Sequence, residues 1–293
     1  MSSIAAQRRR VALIDFCKSF AKNRAGMAGF IFLLAVSLIA LLAPVITPAH
    51  LLDVTQLNNQ RFAPPSLEHL FGTDHLSRDL LVRMVWGARS SLIVGLSATA
   101  MSMVIGTLVG IAAGYFQGWI ASLWMRIIDF FLVLPSLILA IVLSSVMSRG
   151  MLTIIIAIGV TSWAGTARVV RSQALTISTR DYVERAKALG AGHWHIILKH
   201  IFPGVLPLVL ANTTLTVGSA IIAESTLAFL GLGDTTKQSW GTILRNSMDV
   251  SAATSGYWWY VLIPGLAIVS VVLAFTLIGR AVETIVNPTL RSR

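Results

Sequence analysis

Apolar residues in this chain run in stretches too long for a soluble core. Runs with little or no charge cover residues 26–47, 90–115, 120–147, 151–170, 204–232 and 258–278. A helix needs about 20 apolar residues to cross a bilayer, so the pattern predicts an all-α integral membrane protein with about six spans. Pro44 and Pro48 close the first run, Gln117-Gly118-Trp119 supplies a tight turn after the second, and Arg149-Gly150 separates the third from the fourth. The third run is less pure, since it holds Arg126, Asp129 and Pro135. Tyr257, Trp258, Trp259 and Tyr260 predict an aromatic belt where the sixth span meets the outer interface. The resulting divisions are a basic segment 1–25, a first span 26–48, an outer loop 49–89, a core 90–285 carrying five spans, and a tail 286–293.

Charge placement orients the spans. With the N-terminus in the cytoplasm, the inner segments hold Arg8, Arg9, Arg10, Lys18, Lys22, Arg24, Arg126, Arg168, Arg171, Arg180, Arg185, Lys187, Lys199, Arg280, Arg291 and Arg293. That is sixteen of the 23 lysines and arginines, so both termini are expected inside. Composition agrees with a lipid solvent: 55% of residues are hydrophobic and 12% charged, about half the charged share of soluble domains. The net charge of +11 would suit a nucleic-acid binder, but the cations sit in clusters between apolar runs, so lipid and not nucleic acid is the expected partner. The basic segment and the apolar run after it are both too long for a signal peptide and predict a retained helix. Cys17 is the one cysteine, so no internal disulfide is possible. His193 and His200 share a helical face that His195 leaves, and no acid or thiol is near, so no metal site is expected.

Two loops exceed mere connectors. In the outer one the chain reads as helical from Asp74, with Leu76, Leu80, Leu81, Met84 and Val85 in one stripe and Asp79–Arg83 as an i,i+4 pair. This predicts an amphipathic helix lying on the membrane or packed on the spans. In the inner loop, residues 179–207, Asp181 and Glu184 predict a capping box opening a helix. Gly190 stops that helix in a left-handed turn. A second helix follows, with Trp194, Ile197, Leu198 and Ile201 on one face and Pro203 limiting it. The resulting helix–glycine–helix hairpin has an apolar face and a charged rim. It suits either a soluble partner that grips it or a bed of anionic lipid.

The spacing Glu184-x-Ala186-x-x-x-Gly190, with Pro203 thirteen residues after the glycine, resembles the EAA loop of bacterial ABC importer permeases. Arg185, His200 and Phe202 depart from that pattern as the peptide and nickel branch does. Three further stretches resemble the same branch. They are Phe71-Gly72-Thr73-Asp74 through Ser77-Arg78-Asp79 to Gly87-x-Arg89-Ser90-Ser91-Leu92; Glu224 through Gly233; and Ser239-Trp240-Gly241. Ser77 and Ala228 differ from the usual glycine and serine. The resemblance runs from about residue 22 to 288. It implies a type I importer permease fold with a cytoplasmic coupling helix and no catalysis by this chain. It further implies a homologous permease partner, two ATPase subunits that bind the ATP, and a periplasmic or lipid-anchored binding protein delivering dipeptides, oligopeptides, nickel chelates or another small solute. On this resemblance Arg180, Asp181, Glu184, Arg185, Ala186, Lys187, Gly190 and Pro203 form the ATPase-coupling site.

Two acidic residues in the spans are candidates for the translocation pathway. Asp129 lies three residues from Arg126, and a structural pair between them is the preferred reading. Glu224 has no cation close in sequence; it would bind a substrate amine or pair with another helix or with the partner permease. Gly106-x-x-x-Gly110-x-x-x-Gly114 predicts close helix packing. An ion-coupled secondary transporter would account for the spans but not for the capped hairpin, and no inverted repeat is evident. The chain has no H-E-x-x-H, G-x-S-x-G or G-x-x-x-x-G-K-[ST], which argues against an intramembrane enzyme and against a nucleotide site in this chain.

Overall fold

The computed structural model describes residues 2–53, 59–234 and 236–286. The tail from residue 287, with Arg291 and Arg293, lies outside the described residues, as do residues 54–58 of the outer loop. Among the described residues the chain is helical with no β-strand.

Helix α1 (Ser2–Lys22) meets α2 (Arg24–Ile46) at Asn23, whose side chain accepts the Gly26 amide at 2.9 Å and so opens α2. α2 rests against the last helix, α12 (Trp258–Val286). A side chain at Gly26 or Gly29 would run into Ala281 or the Ala274 carbonyl, so these glycines let the two spans touch.

At the centre stands α3 (Leu80–Tyr115), 36 residues long. At 1.5 Å per residue it reaches about 54 Å, well beyond the ~30 Å hydrocarbon core. The sequence predicts a separate amphipathic helix from Asp74 ahead of a span starting at residue 90; the structure joins the part from Leu80 to the span as one rod, whereas residues 74–79, with Leu76, form a turn that the Asp79 cap closes and are not helical. Charge hid the continuity. Arg83 and Arg89 interrupt the apolar run, but Arg83 is fully buried and neutralised by a loop carboxylate.

The third predicted span is two helices, α4 (Trp119–Val133) and α5 (Ser136–Val146), bent by 86°. Pro135 sits at the break and holds Leu134 extended (φ −80°, ψ 128°). α6 (Met151–Thr161) and α7 (Trp163–Ser178) follow as one span with a flaw at Ser162, where ψ is 0°. The glycines of α3 lie along α7. A Cβ at Gly106 would meet the Trp163 carbonyl, at Gly110 the Ala167 carbonyl, and at Gly114 the Arg171 carbonyl, all within 2.8 Å. The small-residue repeat is thus a packing seam between these two helices.

After α8 (Asp181–Ala188), helix α9 (His193–Ile196), a π turn (Ile197–Ile201) and α10 (Phe202–Phe229) run on as a single rod. Pro203 does not end the helix, contrary to expectation. Its ring would clash with the Lys199 carbonyl in a regular α-turn. The widened turn, in which the Phe202 amide bonds to Ile197, makes the room. The same turn rephases the helix: Ile196 and Ile201 are buried, while Trp194 and Leu198 point outward instead of sharing Ile201's face.

α11 (Trp240–Asp249) opens with a capping box between Ser239 and Thr242. The aromatic cluster before α12 is not a lipid belt. Tyr257 stacks on Phe62 at 4.1 Å, Trp259 and Tyr260 are buried beneath the 59–79 loop, and Trp258 alone is largely exposed. Among the described residues, five continuous helical rods and the bent pair give six candidate spans.

Candidate functional site

Three regions stack along the bundle: the 179–207 hairpin at one end, a polar groove midway and a joint at the opposite end, named inner and outer after the orientation that the charge pattern predicts.

The hairpin is held rigidly. Gly190 takes φ +82°, its amide bonding to the Lys187 carbonyl and the Ala191 amide to the Ala186 carbonyl, a Schellman closure. Asp181 is not the cap: α8 begins on Arg180 with no side-chain bond, and Asp181 and Glu184 both lie in the first turn, where they favour the helix dipole. Val183, Ile196 and Ile201 are fully buried among Met103, Ile111, Tyr115, Val170 and Ile177, which wedges the hairpin between α3 and α7. The Tyr115 hydroxyl meets His193 Nδ1 at 2.8 Å, and the Lys187 ammonium lies 5.7 Å from the Tyr115 ring. The opposite face is bare: Leu189 is 89% exposed, Trp194 76% and Leu198 61%. Arg180, Asp181, Glu184, Arg185 and Lys187 are exposed, Ala186 is half-buried, and none of the charged five makes an ion pair among the described residues. Pro203 is exposed just beyond.

The α4–α5 bend and the flaw at Ser162 open a groove of about 590 Å³. Ser136, Thr161, Ser162, Thr166, Asn212, Thr216 and Ser219 give it a neutral polar lining among apolar walls. Asn212 Nδ2 donates to Thr166 Oγ1 at 3.0 Å, and Thr216 Oγ1 donates to the Asn212 carbonyl at 2.9 Å. A smaller cavity of about 90 Å³ adjoins it, where the Thr99 and Ser102 hydroxyls are buried without partners. Sequence reasoning missed these residues. The signal was present, since Asn212, Thr216 and Ser219 recur at i, i+4 and i+7 on one face of an apolar helix. Neither acidic pathway candidate lines the groove. Asp129 on α4 pairs with Arg168 on α7 rather than with Arg126, because α4 packs along α7 and the cross-helix partner faces the carboxylate. Glu224 is buried at the outer end, accepting from Ser91 Oγ at 3.0 Å and Ser225 Oγ at 3.3 Å.

The outer joint gathers the remaining motifs. Asp74 accepts the Leu76 and Arg78 amides (2.8 and 2.9 Å), Arg78 Nε (2.7 Å) and Arg83 Nη1 (2.8 Å). Arg83 also donates to the Tyr260 hydroxyl and twice to Gln238 Oε1. The predicted Asp79–Arg83 pair is absent because Asp79 caps α3 at Leu81 and binds His69 at 2.8 Å. Gly87 leaves room for Trp240, whose Nε1 donates to the Met84 carbonyl at 3.1 Å. His75 Nδ1 lies 3.0 Å from Tyr260, and burial pushes its pKa below the usual histidine value. Among the described residues no three His, Cys, Asp or Glu side chains converge as a metal site would require.

Comparison with known proteins accords with this architecture. The profile of the binding-protein-dependent transport system inner membrane component matches residues 106–292, and that of the N-terminal TM domain of oligopeptide transport permease C matches residues 13–65. The chain is 38% identical to the dipeptide transport system permease protein of Bacillus subtilis (strain 168), over 94% of this chain and 86% of that protein. It is 34% identical to the di/tripeptide transport system permease protein of Pseudomonas aeruginosa (strain UCBPP-PA14), over 96% and 93%. Among solved structures, an inward-facing MetNI methionine ABC transporter aligns over 69% of this chain and 96% of its own, at 23% identity and a TM-score of 0.53. That likeness is one of fold.

Proposed function

The chain belongs to the binding-protein-dependent inner-membrane transport permeases, and from that premise we propose that it pairs with a homologous permease to form a peptide pathway through the membrane. Two partner ATPase subunits bind and hydrolyse the ATP. A periplasmic or lipid-anchored binding protein delivers the peptide. This chain itself holds no cofactor. It is a multi-pass protein of the inner membrane, with both termini in the cytoplasm.

The observation that carries this reading is the hairpin, clamped on one face by Val183, Ile196 and Ile201 and bare on the other at Leu189, Trp194 and Leu198. A rigid element with an unpartnered apolar surface suits a protein groove. Arg180, Asp181, Glu184, Arg185, Lys187 and the half-buried Ala186 border that surface, and Gly190 sets its bend. Because α9, the π turn and α10 are continuous past Pro203, a push on the hairpin is delivered along α10 to the Glu224–Ser91 contact at the outer end. ATP then selects between two packed arrangements of the bundle.

Peptide is favoured as cargo by the relatives' names and by the groove. Its hydroxyl and amide lining matches the backbone amides of a peptide, and among the described residues no His, Cys, Asp or Glu lines it. Asp129 and Glu224, off the groove in this subunit, act as helix ties rather than as peptide ligands. The test is reconstitution with the partner permease, ATPases and binding protein in liposomes. Peptide uptake must require ATP inside. Trp194→Asp must release the ATPases while leaving the permease inserted. Uptake by this chain alone would refute the reading.

A further inference from the structure

The small cavity beside the groove contains two hydroxyls that the fold leaves unused. It measures about 90 Å³ and shares Ser136, Thr161, Ser162, Thr216 and Ser219 with the groove, so it is a side chamber of the same space. Thr99 and Ser102 stand three residues apart on one face of α3 and supply its deep polar part. Ala98, Ala140, Ile158 and Ala220 are its buried apolar walls. Thr99 is 1% exposed and Ser102 0%, and neither hydroxyl has a hydrogen-bond partner among the described residues. In an apolar helix such a hydroxyl can bond back to a carbonyl of the preceding turn. Its neighbours do so: Thr161 Oγ1 donates to the Ala157 carbonyl at 2.8 Å and Thr216 Oγ1 to the Asn212 carbonyl at 2.9 Å. Thr99 and Ser102 keep donor and acceptor both free, which costs free energy that a matching ligand group would recover.

Charge, size and hydrogen bonding each narrow the occupant. Among the described residues no charged side chain lines the chamber, so a peptide's ammonium or carboxylate terminus would enter it without a counter-charge. An engineered apolar cavity of about 150 Å³ in another protein holds one benzene. At about 90 Å³ this chamber is too small for an aromatic ring and suits a group of about two or three heavy atoms. A wholly apolar group of that size would leave both hydroxyls unpaired. Water would pair with them but would wet the apolar wall. A short side chain ending in a hydroxyl fills the space and can donate and accept at once.

We propose that the chamber is a side-chain subsite for the peptide in the groove, taking a short hydroxyl-bearing side chain such as that of serine, with Thr99 and Ser102 setting the preference. The proposal rests on the peptide-transport reading. The peptide backbone stays in the groove beside Thr166, Asn212 and Thr216, and one side chain turns in past Ser136 and Ser219, which belong to both spaces.

The test uses the assembled transporter in liposomes with its binding protein saturated in turn by the dipeptides of serine, α-aminobutyrate and phenylalanine. Saturation removes the binding protein's own selection, and rates are compared as ratios within each variant, so a uniform loss of activity cancels. Wild type should move the serine dipeptide about fivefold faster than the near-isosteric α-aminobutyrate dipeptide, the worth of one hydrogen bond. It should move it about tenfold faster than the phenylalanine dipeptide. Thr99→Val/Ser102→Ala should erase the first preference and keep the second. Ala220→Val, which narrows the chamber and leaves both hydroxyls, should slow the serine dipeptide towards the phenylalanine rate. Equal wild-type rates for the three dipeptides would overturn the proposal. So would an undiminished serine preference in Thr99→Val/Ser102→Ala, since the hydroxyls would then hold only water, or loss of the partner permease from that variant, since the chamber would then seat a partner side chain. A wild-type complex that takes up none of the dipeptides with ATP would instead defeat the transport reading beneath it.

Discussion

Removing Asp74 should damage the protein more than removing the arginine it neutralises. Both side chains of the Arg83–Asp74 pair are fully buried, 2.8 Å apart. In Asp74→Ala, Arg83 keeps Tyr260 and Gln238 but loses its counter-charge, and Arg78 loses the same carboxylate. An uncompensated buried charge costs about 3–5 kcal/mol. In Arg83→Met, Asp74 still accepts Arg78 Nε and two backbone amides, so its charge stays satisfied. The loss is then that of a few hydrogen bonds, about 1–3 kcal/mol. The double variant should be more stable than Asp74→Ala alone, because it removes the stranded guanidinium, so the coupling between the two changes must exceed the whole Arg83→Met loss. Unfolding in mixed dodecylmaltoside–SDS micelles, followed by tryptophan fluorescence, measures all three. If the double variant loses the sum of the single losses, or Asp74→Ala proves the milder change, the electrostatic account of the outer joint is wrong.

Other substitutions probe the remaining joints. Gly110→Val should force α3 from α7, since even a Cβ would lie 2.6 Å from the Ala167 carbonyl; a loss of at least ~1–3 kcal/mol is expected in the same unfolding assay. Gly165→Ala, with open space around it on the groove wall, should change stability by less than about 0.5 kcal/mol. At Gly190 a Cβ meets nothing within 4 Å, so only the φ of +82° resists substitution. Alanine there should cost about 1 kcal/mol. Valine should leave insertion intact and abolish ATP-coupled uptake, measured in the same liposomes. His75 is held neutral below its usual pKa, so unfolding takes up a proton there. The part of the stability that His75 contributes is therefore full above about pH 6.5 and falls as pH drops below it; amide protection factors in the outer loop, corrected for the intrinsic exchange rate at each pH, should be lower at pH 5.5 than at 7.5, and His75→Gln should flatten that dependence.

Periodicity and charge carried the fold a long way. The six apolar runs each correspond to a helix or helix pair, and Gly190 makes the turn its spacing announced. What failed to show was pairing across the chain. Arg83 looked like the polar edge of a surface helix because its partner Asp74 lies nine residues back in a loop and Tyr260 lies 177 residues on. Asp129 was matched to the nearest cation in sequence, whereas α4–α7 packing brings Arg168 to it. Pro203 reads as a stop unless a π turn precedes it, and that widened turn leaves no mark in hydropathy. The groove was legible in principle, through Asn212, Thr216 and Ser219, but a window average dilutes three polar residues in an apolar run.

The proposed coupling requires a hairpin that faces the cytoplasm and meets a motor protein. Leu189→Cys in a Cys17→Ser background places one thiol on the bare face. A membrane-impermeant maleimide should label it in inside-out vesicles stripped of the ATPases, and rebinding the ATPases should protect it. Labelling in sealed right-side-out vesicles, or labelling that the ATPases leave unchanged, would contradict the account.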